Sequence, residues 1–72
     1  MERLIKNQFP SRLKEMREDK GLSQRALAKE LHVTQPAIAR WEAGKQTPNV
    51  DMIIAIAVYF GVSSDYLLGL ED

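Results

Sequence analysis

The sequence predicts a small all-α domain of five short helices with no strands, and three observations indicate this. The chain has 72 residues, of which 44% are hydrophobic, with only four glycines and three prolines. A chain of this length folds around one core and buries about 60% of the surface that its unfolded form exposes. Apolar residues recur at helical spacing, and capping residues and glycines separate the periodic segments. We therefore expect a single domain over residues 1–72.

The first helix is predicted at about residues 10–20. Phe9, Leu13 and Met16 are spaced so that they fall on one helical face, which is the face expected to enter the core. Gly21 follows the helix at the position where a left-handed residue commonly ends one.

The second and third helices are predicted at about residues 24–31 and 35–43. Ser23 and Thr34 each precede one of these helices, and their hydroxyl groups can accept hydrogen bonds from the free amides of the first turn. Gly44 ends the third helix. The inner faces of the two helices carry Ala26, Leu27, Leu31, Ile38 and Trp41.

A fourth helix is predicted at about residues 50–60, between the cap Asn49 and the closing Gly61. It is apolar on nearly every side, so we expect it to be central and packed on several sides. Its β-branched residues would also suit a strand, but its length between a cap and a glycine favours a helix. A fifth helix, at about residues 64–68, follows the cap Ser63.

The ten basic and ten acidic residues cancel, yet they are unevenly distributed. Residues 1–45 contain all ten Lys and Arg and six acids, a net charge of +4. Residues 46–72 contain four acids and no base, a net charge of −4. A chain divided in this way can present one basic face, although ordinary scatter in a short chain is the alternative.

Several classes of site and protein are excluded by what the sequence lacks. Without cysteine there is no disulfide, thiolate zinc site or cysteine nucleophile, and the single histidine, His32, cannot make a histidine-rich metal site. No apolar run reaches 18 residues, and residues 1–10 do not contain the core of a signal peptide. We expect a soluble cytoplasmic protein with no metal or cofactor.

The second and third predicted helices are separated only by His32, Val33 and Thr34, which is the spacing of a helix-turn-helix motif. Ala28 supplies a small side chain where the two helices must approach closely, and Val33 can fill the turn. This spacing alone is a weak signal, because many small helical domains contain it.

From Leu13 to Gly69 the chain resembles the lambda-repressor/Cro-like (XRE-type) helix-turn-helix family of bacterial and phage transcriptional regulators. The matching segments are residues 22–24, 27–28, 33–35, 38–45, 48 and 61–69. The resemblance implies a compact five-helix domain whose third helix enters the major groove of DNA. The family often has glycine in the turn where this chain has His32, so we expect a left-handed histidine there under modest strain. His32 is expected to be an exposed turn residue; a role in DNA contact or pH sensing is the alternative.

Four residues on the outer face of the third helix are candidate base contacts: Gln35, Pro36, Ala39 and Arg40. The resemblance places Gln35 at a position that commonly contacts bases, and glutamine can pair with adenine N6 and N7 while the arginine fork suits guanine O6 and N7. For Pro36 we expect packing against a thymine methyl group or a sugar edge. The alternatives are a solvated Gln35, and a surface ion pair or phosphate contact for Arg40.

Gln24 opens the second helix, where free amide groups and the helix dipole favour a phosphate. The resemblance places a phosphate contact there as well. Further candidate phosphate contacts are Arg25, Lys29, Thr34, Lys45, Gln46 and Thr47. Such contacts position a protein on DNA but do not distinguish sequences, and for Arg25 and Lys29 a merely solvated side chain is an equal alternative.

Glu42 falls in the last turn of the third helix, where the helix dipole disfavours an acid. In related proteins an arginine of the first helix pairs with this glutamate, and Arg17 stands at the matching position. We therefore predict an Arg17–Glu42 ion pair that orients the third helix, with two solvated charges as the alternative.

One such domain covers a single half-site, and two-fold dimers bind half-sites about 34–36 Å apart. We therefore predict a homodimeric, sequence-specific regulator of double-stranded DNA that acts as a repressor at the bacterial or phage nucleoid. The predicted self-contact residues are Tyr66, Leu67, Leu68 and Leu70. No sensor domain is visible, so no small-molecule effector or self-cleavage is expected.

Two other classes of function are weighed against a DNA-binding regulator. The neutral net charge permits an antitoxin or adaptor of the same fold whose main partner is another protein. An enzyme is poorly supported, because no phosphate loop or metal-ligand spacing is present. The acids Glu15, Glu18 and Asp19 beside Lys14 and Arg17 are typical of a solvated helix face.

Overall fold

The computed structural model describes residues 7–71, so residues 1–6 and 72 of the predicted domain lie outside the described residues. The regular secondary structure of the described residues is entirely α-helical, without strands. Within residues 7–71, no helix combines the length and hydrophobicity needed to cross a membrane. The five helices are α1 (Phe9–Asp19), α2 (Gln24–Leu31), α3 (Gln35–Glu42), α4 (Val50–Phe60) and α5 (Ser64–Leu68).

Side-chain caps define where four of the helices begin. The residue before each of these helices has an extended backbone, and its side-chain oxygen accepts a hydrogen bond from the amide three residues later. These donor–cap pairs are Ala26–Ser23, Ala37–Thr34, Met52–Asn49 and Tyr66–Ser63. The observed bounds of α2, α4 and α5 coincide with the predicted ones, α1 begins and ends one residue earlier than predicted, and α3 ends one residue earlier.

One core joins all five helices. The helices α2 and α3 pack against each other, and the small side chain of Ala28 on α2 is buried, at 3% exposure. The helix α1 packs against α3 and α5, and α5 packs against α4. The buried hydrophobic residues are Phe9, Leu13, Leu27, Ala28, Leu31, Ile38, Trp41, Ile53, Ile56, Ala57 and Leu67.

The prediction that the fourth helix is central was wrong. Only one face of α4 is buried, through Ile53, Ile56 and Ala57. Val50, Ile54 and Val58 on another face are 72%, 52% and 75% exposed. The physical reason is size: α5 has only five residues and covers only part of its longer neighbour. An apolar surface therefore remains along α4.

Arg12 holds the end of the described chain against α1. Its guanidinium donates hydrogen bonds to the carbonyl oxygens of Tyr66 and Glu71, the second at 2.7 Å from Nη1. The guanidinium carbon also lies 4.1 Å from the centroid of the Tyr66 ring, within the range of a cation–π contact. Arg12 thereby joins α1 to α5 and to the residues that follow α5.

Candidate nucleic-acid interface

The turn between α2 and α3 has the geometry that a helix-turn-helix motif requires. His32 has a left-handed backbone, with φ 58° and ψ 41°, and ends α2. The amide of Val33 then donates to the carbonyl oxygen of Ala28 at 2.9 Å, which turns the chain back across α2. Thr34 caps α3, so Gln35 is its first residue.

The two faces of α3 have different environments. Ile38 and Trp41, which are 0% and 6% exposed, fix one face in the core. On the other face Pro36 and Arg40 are exposed, and Gln35 is half-buried. The fourth candidate base contact, Ala39, is also half-buried. The predicted base-contacting residues therefore lie on the side of α3 that does not enter the core.

A chain of side-chain hydrogen bonds links the beginning of α3 to the beginning of α2 and to the end of α3. Gln35 Nε2 donates to Gln24 Oε1 at 2.8 Å. Gln24 Nε2 in turn donates to Glu42 Oε1 at 3.0 Å. Gln24 is half-buried, so its amide is held between the two neighbours.

The direction of these hydrogen bonds follows from the chemistry of Glu42. An ionised carboxylate only accepts hydrogen bonds, so Gln24 must turn its NH₂ group toward Glu42. Its carbonyl oxygen then faces Gln35, which must also present its NH₂ group. Gln35 is left with its carbonyl oxygen and one N–H available, an acceptor beside a donor.

Arg17 and Glu42 form the ion pair that the resemblance implied. Arg17 Nε donates to Glu42 Oε2 at 2.6 Å, and Arg17 Nη2 donates to Glu42 Oε1 at 3.0 Å, so the pair is bidentate. The remaining nitrogen, Nη1, donates to the carbonyl oxygen of Leu22 at 2.7 Å. The side chains are 10% and 4% exposed. The hydrogen bond to Glu42 raises the pKa of Arg17 above its usual value, despite the opposing effect of burial.

The candidate phosphate contacts form two groups. Arg25, Lys29 and Thr34 lie exposed on α2 and at the turn, while Lys45 and Thr47 lie exposed in the segment that follows α3. Gln46, in the same segment after α3, is also exposed, but its side chain has a protein partner: Gln46 Oε1 accepts a hydrogen bond from Arg40 Nε at 2.7 Å.

The predicted self-contact residues are not equally available to a second chain. Leu67 is fully buried, with 0% exposure. The prediction that Leu67 contacts a second chain was therefore wrong, because its side chain belongs to the core. Tyr66 and Leu68 are half-buried, and the Tyr66 ring is in contact with Arg12. Leu70 is 60% exposed.

The apolar surface of α4 was not predicted from the sequence. Val50 and Ile54 form, with Pro48 and Leu68, the walls of a shallow apolar groove between α4, α5 and the segment after α3. The signal was available, because Val50, Ile54 and Val58 are four residues apart and therefore share one helical face. Among residues 7–71, no group of three or more His, Cys, Asp and Glu is placed to hold a metal ion.

The similarity of this chain to known proteins agrees with this geometry. Residues 13–67 match the model of a helix-turn-helix family. Over 65 residues the chain is 38% identical to the HTH-type transcriptional activator BcrR of Enterococcus faecalis, which covers 90% of this chain and 32% of BcrR. This chain also spans only 48–57% of the length of four related regulators of Bacillus subtilis.

Two solved structures have the same fold. The P22 c2 repressor, crystallised with a synthetic operator, superposes with a TM-score of 0.81 and 30% identity, covering 88% of this chain and 96% of the repressor chain. A transcriptional regulator from Listeria innocua superposes with a TM-score of 0.86 and 29% identity, covering 94% of this chain and 64% of that chain. The relatives are DNA-binding regulators rather than enzymes. This chain belongs to the lambda-repressor/Cro-like (XRE-type) helix-turn-helix family of transcriptional regulators.

Proposed function

We propose that this domain binds double-stranded DNA in a sequence-specific manner, with α3 inserted in the major groove, and that it acts as a homodimer at the nucleoid. The observation that carries the proposal is the oriented amide of Gln35, which Gln24 holds at 2.8 Å on the outer face of α3. Its remaining acceptor and donor match the N6 amino group and N7 atom of adenine. A side chain ordered before binding loses less conformational entropy when it contacts a base.

Arg40 and Pro36 extend the proposed base-contacting surface along α3. The exposed Arg40 is suited to guanine O6 and N7, and a bidentate contact of this kind contributes about 1–3 kcal/mol of discrimination. Pro36 is exposed one position after Gln35 and offers an apolar contact to a thymine methyl group. The small side chain of Ala39 allows the helix to approach the bases closely.

Phosphate contacts are proposed on both sides of α3. Gln24 at the first position of α2 lies where free amide groups favour an anion, and Arg25 beside it is exposed. Lys45 and Thr47 are exposed beyond the other end of α3. Contacts at both ends would fix the register of the helix in the groove without selecting a sequence. Lys29 and Thr34 are further candidates, exposed on α2 and at the turn.

The Arg17–Glu42 pair is proposed to orient α3 on α1. Breaking a buried pair by removing one partner leaves an uncompensated charge, which costs about 3–5 kcal/mol. The pair also holds Gln24 through Glu42, so the position of the Gln35 amide depends on it.

The proposed self-contact is the groove between α4 and α5, with a second copy of this chain as its occupant. Val50, Ile54 and Leu68 supply apolar walls without a charged side chain, so a copy can pack there without burying a charge. Pro48 belongs both to the groove and to the segment that follows α3. We expect contact at this place to bring the α3 helices of two copies to neighbouring half-sites. Leu70 is exposed and can extend the contact.

We propose repression as the regulatory outcome, following the likeness to the P22 c2 repressor, which this chain matches over 96% of its length. BcrR is named an activator, but this chain spans only 32% of it. A second candidate function, an antitoxin or adaptor that binds another protein, is favoured by the zero net charge together with the apolar groove.

The decisive experiment is in vitro selection of bound duplexes from a random pool. We expect a motif with two-fold symmetry and half-sites about 34–36 Å apart. Gln35→Ala should lose the preference for adenine at one position of each half-site, whereas Glu15→Ala, an exposed change on α1, should select the wild-type motif. Enrichment of no motif would contradict the proposed function, and an asymmetric motif would contradict the homodimer.

A further inference from the structure

The guanidinium of Arg40 is exposed but has a partner in the protein. Arg40 Nε donates to Gln46 Oε1 at 2.7 Å. The two residues are six apart, and Gln46 lies beyond the end of α3. Because arginine only donates hydrogen bonds, the Gln46 amide must turn its oxygen toward Arg40. Its NH₂ group is then directed away from the guanidinium.

The backbone determines that Gln46 returns beside Arg40. Gly44 has a left-handed backbone with φ 73°, which reverses the chain after α3. The amide of Lys45 then donates to the carbonyl oxygen of Arg40 at 2.9 Å, a bond typical of this helix ending. On the other side of Gln46 the buried Pro48 fixes the segment against the core. The contact between the two side chains is therefore built on a fixed stretch of chain.

The atoms that Gln46 engages are not the ones that a guanine needs. A guanidinium has five N–H donors, of which Gln46 uses the one on Nε. The four donors on the two terminal nitrogens remain, and they form the fork that pairs end-on with guanine O6 and N7. An arginine whose Nε is already hydrogen-bonded loses fewer side-chain conformations on binding DNA than an arginine that is free in solvent.

We propose that Gln46 is a positioning residue for Arg40 and sets how strictly the domain selects guanine at the base pair that Arg40 contacts. The inference rests on the proposed function and assigns Gln46 a role other than phosphate contact. A phosphate contact strengthens binding to every sequence alike. A positioning residue acts through Arg40 alone, and its effect is confined to one base pair.

The test measures a discrimination ratio: the affinity for the selected duplex divided by the affinity for a duplex altered at one base pair. That base pair is the one where Arg40→Ala relaxes the selected motif. Gln46→Ala should lower the ratio by about two- to fivefold, the range expected for one exposed charge-assisted contact. In an Arg40→Ala background the same change should leave the ratio unaltered.

Two variants serve as controls. Gln46→Glu keeps an oxygen that can accept from Arg40, so it should retain the discrimination ratio even though its charge weakens binding to all DNA. Lys45→Ala, at the neighbouring exposed position, should weaken both duplexes alike and leave the ratio unchanged. Thermal melting of each free variant confirms that it is folded.

The outcomes separate this inference from the proposed function. If the wild type selects a motif but Gln46→Ala weakens both duplexes equally, or acts as strongly without Arg40, then Gln46 contacts phosphate and the positioning role is wrong. If Gln46→Glu loses the ratio as Gln46→Ala does, the acceptor oxygen is not what matters and the inference also fails. If the wild type selects no motif, the proposed function fails and this inference fails with it.

Discussion

His32 shows how one residue accommodates a turn that suits glycine better. Its φ of 58° is the single positive value among the non-glycine residues of the described chain. A left-handed backbone costs an L-residue about 1–2 kcal/mol, and histidine is among the residues that tolerate it best. The hydrogen bond between the Val33 amide and the Ala28 carbonyl holds this conformation in place. The strain is imposed by the motif.

We predict that His32→Gly stabilises the protein. Relief of the left-handed strain is partly offset by the extra freedom of glycine in the unfolded chain, which leaves a gain of about 0.5–1 kcal/mol. The midpoint of thermal unfolding should rise by about 2–8 °C for a domain of this size. Gly61→Ala is the opposite control: no atom lies within 4 Å of an added Cβ there, but φ is 70°, so the midpoint should fall. A fall for His32→Gly would mean that the imidazole makes stabilising contacts.

Some side-chain partners were predictable from sequence and others were not. The Arg17–Glu42 pair followed from an acid at the unfavourable end of a helix and from the resemblance, which places an arginine of the first helix beside this glutamate. The Gln46–Arg40 contact has no such signal. It depends on the path that the chain takes after Gly44, and a glutamine among exposed residues suits a phosphate equally well.

At the scale of the helix, the bounds were predictable because their causes are local. Ser23, Thr34, Asn49 and Ser63 each cap a helix through an amide three residues away. The packing of α4 was not predictable in this way, since its composition does not show how many neighbours it has. Whether an isoleucine is buried depends on which helices reach it.

A matched pair of substitutions tests the orientation of α4. Ile56 is 0% exposed and Ile54 is 52% exposed, on the same helix. Ile56→Ala should therefore destabilise the protein by about 2–5 kcal/mol, because it removes buried methyl groups and leaves a cavity. Ile54→Ala should lower the free energy of unfolding by less than about 1 kcal/mol in dilute protein, because the Ile54 side chain lies outside the buried core. Urea unfolding measures both.

The outcome distinguishes two arrangements of the helix. If α4 were central, as its composition suggests, both changes would cost a similar amount. Equal large losses would contradict the observed orientation of α4. A loss for Ile54→Ala that appears only at high protein concentration would instead come from self-association through the groove, because the free energy of a dimer depends on protomer concentration.

For the whole molecule, the zero net charge conceals a division that suits DNA. Every Lys and Arg lies within residues 1–45, which include the whole helix-turn-helix motif, while residues 46–72 contain four acids and no base. Four exposed cations lie on α2, on α3 and just after α3: Arg25, Lys29, Arg40 and Lys45. The charge that matters for binding is thus the local one.

This division predicts a steep dependence of DNA binding on salt. If the four cations each neutralise one phosphate, the logarithm of affinity for a random duplex should fall with the logarithm of salt concentration at a slope of about −3.6 per protomer, from about −0.9 for each phosphate. Lys45→Ala should make the slope shallower by about 0.9. Lys20→Ala should leave it unchanged, because the Lys20 ammonium lies 5.2 Å from the centroid of the Tyr59 ring on α4. A protein-binding adaptor would bind random duplex weakly at every salt concentration, and that result would favour the antitoxin or adaptor over the regulator.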